Sequence, residues 1–159
     1  MVSAPLTLSL DLTDKAAVDE SWPIIANKEA LDVNQDWAGF SGSLFKQSQE
    51  LIGLTPCRGT SAPSECMFPT EQYWYKPLSG HDARQSVVAV LLMNNDASPR
   101  NLSFAFNEVP SLKAQASTSF SLFDIWAEKT IVVSQYGGFE AKAVPSHGSV
   151  FLKISTTPV

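Results

Sequence analysis

Glu29 to Phe40, "EALDVNQDWAGF", gathers the side chains of this chain most able to do chemistry: carboxylates at Glu29, Asp32 and Asp36, amides at Asn34 and Gln35, and an indole at Trp37. Cleavage of a glycosidic bond needs two carboxyl groups flanking it, about 5–5.5 Å apart for retention and about 6.5–9.5 Å for inversion. Asp32 and Asp36 are the nearest to such a pair, yet nothing in the run fixes their separation. Leu31 and Val33 alternate with Asp32 and Asn34, so the stretch reads as a connection from a helix to a strand, its polar groups satisfying loose backbone donors and acceptors. The acids are therefore expected to serve architecture, and no catalytic residue is assigned.

Other reactive side chains are scattered. Cys57 and Cys66 sit in "PCRGTSAPSEC", while His81 and His147 lie far from them and from each other, which is not zinc-ligand spacing. Neither a metal nor a cofactor is expected. His147, in the turn "PSHG", is read as a residue that bonds backbone groups, and the adjacent Ser146 is not placed to be its nucleophile. In an oxidising compartment Cys57 and Cys66 can close a short disulfide loop; in a reducing one they are two loop thiols. Asn101-Leu102-Ser103 is a glycosylation sequon. Trp37, Tyr73, Trp74 and Tyr75, with Phe40, are the candidates for stacking on a sugar, against the alternative of filling the core. Trp126, after "FDI", reads as a core or edge aromatic.

The bulk properties narrow the partners. The chain has 159 residues, 44% of them apolar, enough for a packed core. Its 11 basic residues are spread singly against 16 acids, a net charge of -5 that disfavours nucleic acid. The longest apolar run, Ser86 to Met93, is far shorter than the ~20 residues of a membrane-spanning helix. The N-terminus lacks the basic opening of a signal peptide and is read as structure.

Two styles of sequence follow one another. Ala4 to Leu12 is extended and apolar, and "TDKAAVDESWPIIANKEAL" offers helix caps at Thr13, Asp14 and Ser21 with Pro23 suited to a first turn. This predicts one β–α unit. A lone parallel strand cannot cover both of its faces, so further chain before residue 1 is expected. After Gly39 the pattern is all β. Short aromatic and β-branched runs begin near Gly42, Gln72, Ser86, Asn101, Ser119, Thr130, Phe139 and Ser149, separated by Gly, Pro, Asn and Asp. About eight strands of this length indicate an antiparallel sandwich. Leu102, Phe104 and Phe106 alternate inward, as do Val150, Leu152 and Ile154, whereas Val87 to Met93 is apolar on both faces and is expected to lie centrally, covered twice.

The ordered set "MVSAPLTLSLDL", "NKEALDVNQD", "YWYKPLSG", "FDIW" and "VPSHGSVFLKI" resembles, over nearly the whole chain, the C-terminal part of melibiase-type α-galactosidases, the retaining clan that includes α-N-acetylgalactosaminidases. The resemblance implies a mainly β fold, with residues 1–38 the last β/α unit of a truncated TIM barrel and 39–159 the C-terminal antiparallel sandwich. It also implies a parent that hydrolyses terminal α-galactosyl residues. That family's aspartate nucleophile and aspartate acid/base lie on earlier barrel strands, upstream of Met1, so neither carries over. This chain is then expected to be an inactive, stabilising accessory part whose partner is the missing catalytic barrel, in a secreted, lysosomal or vacuolar enzyme. Leu10 stands where the family often has Asn, and Trp37 where Pro usually follows "NQD", which leaves the sugar preference open. The alternatives are a non-catalytic carbohydrate-binding sandwich and a structural subunit docking on a partner.

Overall fold

In a computed structural model, residues 9–37, 39–53, 66–80, 85–113, 118–133 and 137–158 are described. The chain opens with two helices, α1 over Lys15–Ile25 and α2 over Lys28–Gln35. Asp14 caps α1, its carboxylate accepting from the backbone N–H groups of Ala16 and Ala17. Ser21, also a cap candidate, lies inside α1, and Pro23 occupies its last turn rather than its first. The strand expected over Ala4–Leu12 falls largely outside the described residues, and Ser9 to Leu12 do not form one.

The expected connection at "LDVNQD" is instead helical. Asn27 restarts the helix after α1 ends at Ala26: its Oδ1 accepts from Ala30 N at 2.9 Å and satisfies one orphan donor of α2. The apparent two-residue alternation at Leu31 and Val33 misled, because Ala30 and Val33, three apart, are the residues that meet the sheet.

From residue 43 the chain is β: β1 Ser43–Gln47, β2 Leu51–Gly53, β3 Met67–Pro69, β4 Glu71–Pro77, β5 Val87–Asn94, β6 Arg100–Ala105, β7 Thr118–Asp124, β8 Lys129–Val133, β9 Gly138–Val144 and β10 Ser149–Pro158. All eight predicted runs form strands; the short β2 and β3, three residues each, were not anticipated. The order β1-β4-β5-β10-β7-β8 makes a six-stranded sheet, and β6 pairs with β9 in a second sheet of two. Every pair in these sheets is antiparallel.

One face of the large sheet packs on the small one. Val88, Val90 and Leu92 of β5, Leu122 of β7 and Leu152 and Ile154 of β10 bury against Leu102 and Phe104 of β6 and Val144 of β9. Phe106, in the 3₁₀ turn after β6, stacks on Phe120 with ring centroids 4.2 Å apart. The opposite face carries Ala89, Phe151 and Ile125, with Leu91 and Phe123, and α2 covers it through Val33 and Ala30. β5 is thus covered on both faces, as its unbroken apolar run required.

Both ends of α2 are pinned to this sheet. At its start the Asn27 amide donates to Ile125 O at 3.0 Å. At its end the wholly buried Lys76 ammonium, projecting from β4, donates to the carbonyl oxygens of Val33 and Asp36, with Asn34 O at 3.5 Å. A cation here meets the negative end of the helix dipole and the carbonyls a helix leaves unpaired. Burial pulls the Lys76 pKa below its ordinary value, offset in part by Asp36. Lys76→Met is expected to destabilise the fold by about 1–3 kcal/mol through orphaned buried carbonyls. Lys28→Met, which removes an exposed ion pair to Asp32, is expected to leave the urea midpoint nearly unchanged.

Candidate functional site

The acid-rich segment of α2 is a set of tethers. Glu29 pairs with Lys153 of β10, whose ammonium also lies 5.4 Å from the centre of the Phe123 ring. Asp32 pairs with Lys28 one turn earlier. The Asp36 carboxylate accepts from Ser79 N at 2.9 Å to each oxygen and from Ser79 Oγ at 3.0 Å, tying the end of α2 to the residues after β4. Asp32 and Asp36, the nearest thing to a catalytic pair in the sequence, thus each answer to a different neighbour.

A second concentration of charge escaped the sequence reading because its members are dispersed along the chain. Arg100, opening β6, contacts Glu50 at 2.7 Å, Asp96 at 2.6 Å and Glu71 at 3.5 Å. One guanidinium thereby fastens the segment before β2, the first residue of β4 and the turn between β5 and β6. Hydrogen bonding from Arg100 holds the Asp96 carboxyl below its ordinary value, and Asp96 with Glu50 pushes Arg100 up. A general acid for glycoside cleavage needs the opposite perturbation, a carboxyl that keeps its proton towards neutral pH. The cluster is an anchor. His147 joins it only through its backbone: its φ is 55°, and its N–H donates to Asp96 O at 3.3 Å. Among the described residues no group of three or more His, Cys, Asp or Glu side chains is arranged to hold a metal.

The candidate sugar-stacking rings divide by face. Tyr73 is buried in the core, its hydroxyl donating to Glu71 Oε2 at 2.8 Å and accepting from Ser103 N at 3.3 Å. Burial, then the Glu71 bond, drives its pKa up. Tyr75 is half-buried and meets Phe45 edge to face. Trp74, on the other face of β4, is half-buried with its indole N–H enclosed and lacking an acceptor. Trp37 and Phe40 are exposed, at 62% and 61%. The candidates therefore do not form one open platform. Trp126 is an edge aromatic, tilted against Phe151 at 5.4 Å and donating from its indole nitrogen to Ser149 Oγ at 3.2 Å. Cys66 lies just before β3, while Cys57 and His81 lie outside the described residues.

With this geometry in hand, residues 70–154 match the family described as "Alpha galactosidase C-terminal beta sandwich domain". The chain belongs to that family. Among curated proteins it is similar to Alpha-galactosidase 3 of Arabidopsis thaliana, 26% identical over 89% of this chain but only 26% of that protein. Among solved structures, α-galactosidase I of Mortierella vinacea superposes with a TM-score of 0.65 at 21% identity, covering 96% of this chain and 32% of that one. The α-galactosidase of Saccharomyces cerevisiae, solved with raffinose, gives 0.62 at 16% identity over 99% of this chain and 41% of its own. These solved structures share the fold. The chain spans between about a quarter and two-fifths of the relatives it matches. In this sandwich domain the tethering residues that sequence reasoning missed, Lys76 and Arg100, left only faint signals: a single cation inside the aromatic strand "QYWYKPL", and an Arg at a strand start.

Acid stability offers a test of the Arg100 anchor. Asp96 and Glu108 are held below 3.8 and 4.5 in the fold, Asp96 chiefly by Arg100 and Glu108 chiefly by the Ala105 N–H. A depressed carboxyl contributes its full stability above its unfolded pKa and loses it as pH falls through the folded one. Urea midpoints are expected to hold from neutral pH down to these ordinary values and then to drop. Arg100→Ala should be less stable at neutral pH and show a shallower drop in acid, because the largest contact that depresses Asp96 is then gone and only the Ala97 and Ser98 N–H groups still favour its charged form.

Proposed function

We propose that this chain is the accessory C-terminal sandwich of an α-galactosidase-type glycoside hydrolase, stabilising a catalytic barrel by covering it and cleaving no glycoside by itself. The observation that carries the reading is α1. None of its residues is buried, and it presents Trp22 at 56% and Ile24 at 60% exposure. An isolated helix of this length is marginal in water, and its stability comes from an apolar face packed on something else. Trp37 and Phe40, which follow α2, are exposed as well and add apolar area for a neighbour to cover.

The assignment of no catalysis rests on two supports. The family's nucleophile and acid/base have no counterpart among the motifs matched here, and the carboxylates of α2 and of the Arg100 cluster are engaged with cations or backbone. The purified chain is expected to release no product from an aryl α-galactoside, and turnover by the chain alone would overturn the reading. For the covering role, residues 9–159 would replace the matching segment of the Mortierella vinacea enzyme. Trp22→Glu with Ile24→Glu in that chimera should lower its thermal midpoint by several degrees and leave kcat unchanged.

Exposure of Trp37 and Phe40 also fits a sugar-stacking surface. Titration of the chain with melibiose separates the two: heat or fluorescence saturation that vanishes in Trp37→Ala belongs to sugar binding, and none is expected on the covering reading.

The proposal includes a Cys57–Cys66 bridge. Gly53 lies opposite Met67 in the β2–β3 pair, so the flanks of the intervening loop run side by side. Closing a loop of this size is worth about 2–3 kcal/mol. Peptide mapping without reductant should yield the linked pair, and reductant should lower the urea midpoint; two alkylatable thiols in protein prepared under oxidising conditions would refute it.

A further inference from the structure

We infer that Asn101 carries an N-linked oligosaccharide when the chain passes through a secretory route, on the outer face of the small β6–β9 sheet. Of the asparagines in the sequence, only Asn101 is followed by a hydroxyl residue two positions on, Ser103. The fold holds this triplet in a way that suits modification. Asn101 and Ser103 are exposed, and Leu102 between them is wholly buried, so the acceptor and its hydroxyl share the solvent face of β6.

The orientation of the amide follows from one hydrogen bond. The β6–β9 register shifts between Arg100 and Leu102, leaving Asn101 without a strand partner. Its Oδ1 accepts from the Ala143 N–H at 2.8 Å, at a residue with a φ of 51°. A backbone N–H requires the oxygen of the amide, which settles which way the amide is turned and directs Nδ2 away from this bond.

The chemistry leaves that bond intact. Nδ2 attacks the anomeric carbon of a lipid-pyrophosphate-linked oligosaccharide; the new N–C bond forms as the C–O bond to pyrophosphate breaks, one amide hydrogen leaves as a proton, and the lipid pyrophosphate departs. Oδ1 takes no part and continues to hold Ala143. Exposed Ser103, Glu140 and Lys142 surround the site, so a glycan covers polar surface rather than core. It stands on the side of the molecule away from α2, which packs on the opposite face of the large sheet. A bulky polar group here also obstructs edge-to-edge pairing by a sheet of only two strands.

The test is expression of all 159 residues behind a secretion leader in a eukaryotic host. The secreted chain should migrate as a slower species that peptide-N-glycosidase collapses to one band, with Asn101 recovered as Asp in its peptide. Ser103→Ala should give the faster band directly and keep a urea midpoint close to that of the enzymatically deglycosylated protein, since it leaves the Asn101 to Ala143 bond in place. Recovery of unmodified Asn101 from both the secreted wild-type chain and a Ser103→Thr variant would overturn the inference. So would a shifted band that survives Ser103→Ala.

Discussion

The double burial of β5 is the constraint on which the rest depends. Val88, Val90 and Leu92 point into the core shared with β6 and β9, and Ala89 and Leu91 point to the face covered by α2. An eight-residue strand with no polar face cannot sit at an edge or on a one-sided sheet without exposing apolar area at roughly 25 cal/mol per Å². It therefore takes a central place, between β4 and β10, and obliges the protein to find a cover for each side. The small sheet is one cover and α2 the other.

That obligation explains why so many polar groups are spent on α2. At eight residues it would not hold together in water, and its two buried contacts at Ala30 and Val33 are few. Asn27 at one end and Lys76 at the other convert the unpaired groups of the helix ends into bonds with the sheet. Glu29 and Asp36 add lateral ties. Burying an ammonium costs desolvation, and it is tolerated here because several carbonyls and a helix dipole receive it. Carboxylates that look catalytic in one dimension are thus consumed by the attachment of a helix.

The layers are unequal, and the inequality bears on function. α2 is anchored at both ends, whereas α1 has no fully buried residue and only Ala17, Val18, Ser21 and Ile25 are partly covered. The sandwich is thus preceded by a well-fastened helix, α2, and before that by α1, which leaves Trp22 and Ile24 exposed. The aromatic residues sort accordingly. Tyr73 and Phe104 complete the inner core, Trp126 guards an edge, and Trp22, Trp37 and Phe40 are exposed.

What the sequence by itself determined was the eight longer strands and the sandwich they make, because periodicity of two and punctuation by Gly, Pro and Asn are local properties that survive without neighbours. The unbroken apolar run at Val87 to Met93 likewise announced its own central position. Local pattern was less able to decide "LDVNQD", where Leu31 and Val33 suit a strand-like connection as well as a helix; the sheet beneath and the Asn27 cap chose the helix. The roles of Lys76 and Arg100 belonged to tertiary structure alone. Their partners lie on other elements, from the α2 carbonyls 40 and more residues before Lys76 to Glu50 before β2, and only folding brings such distant groups within hydrogen-bond reach.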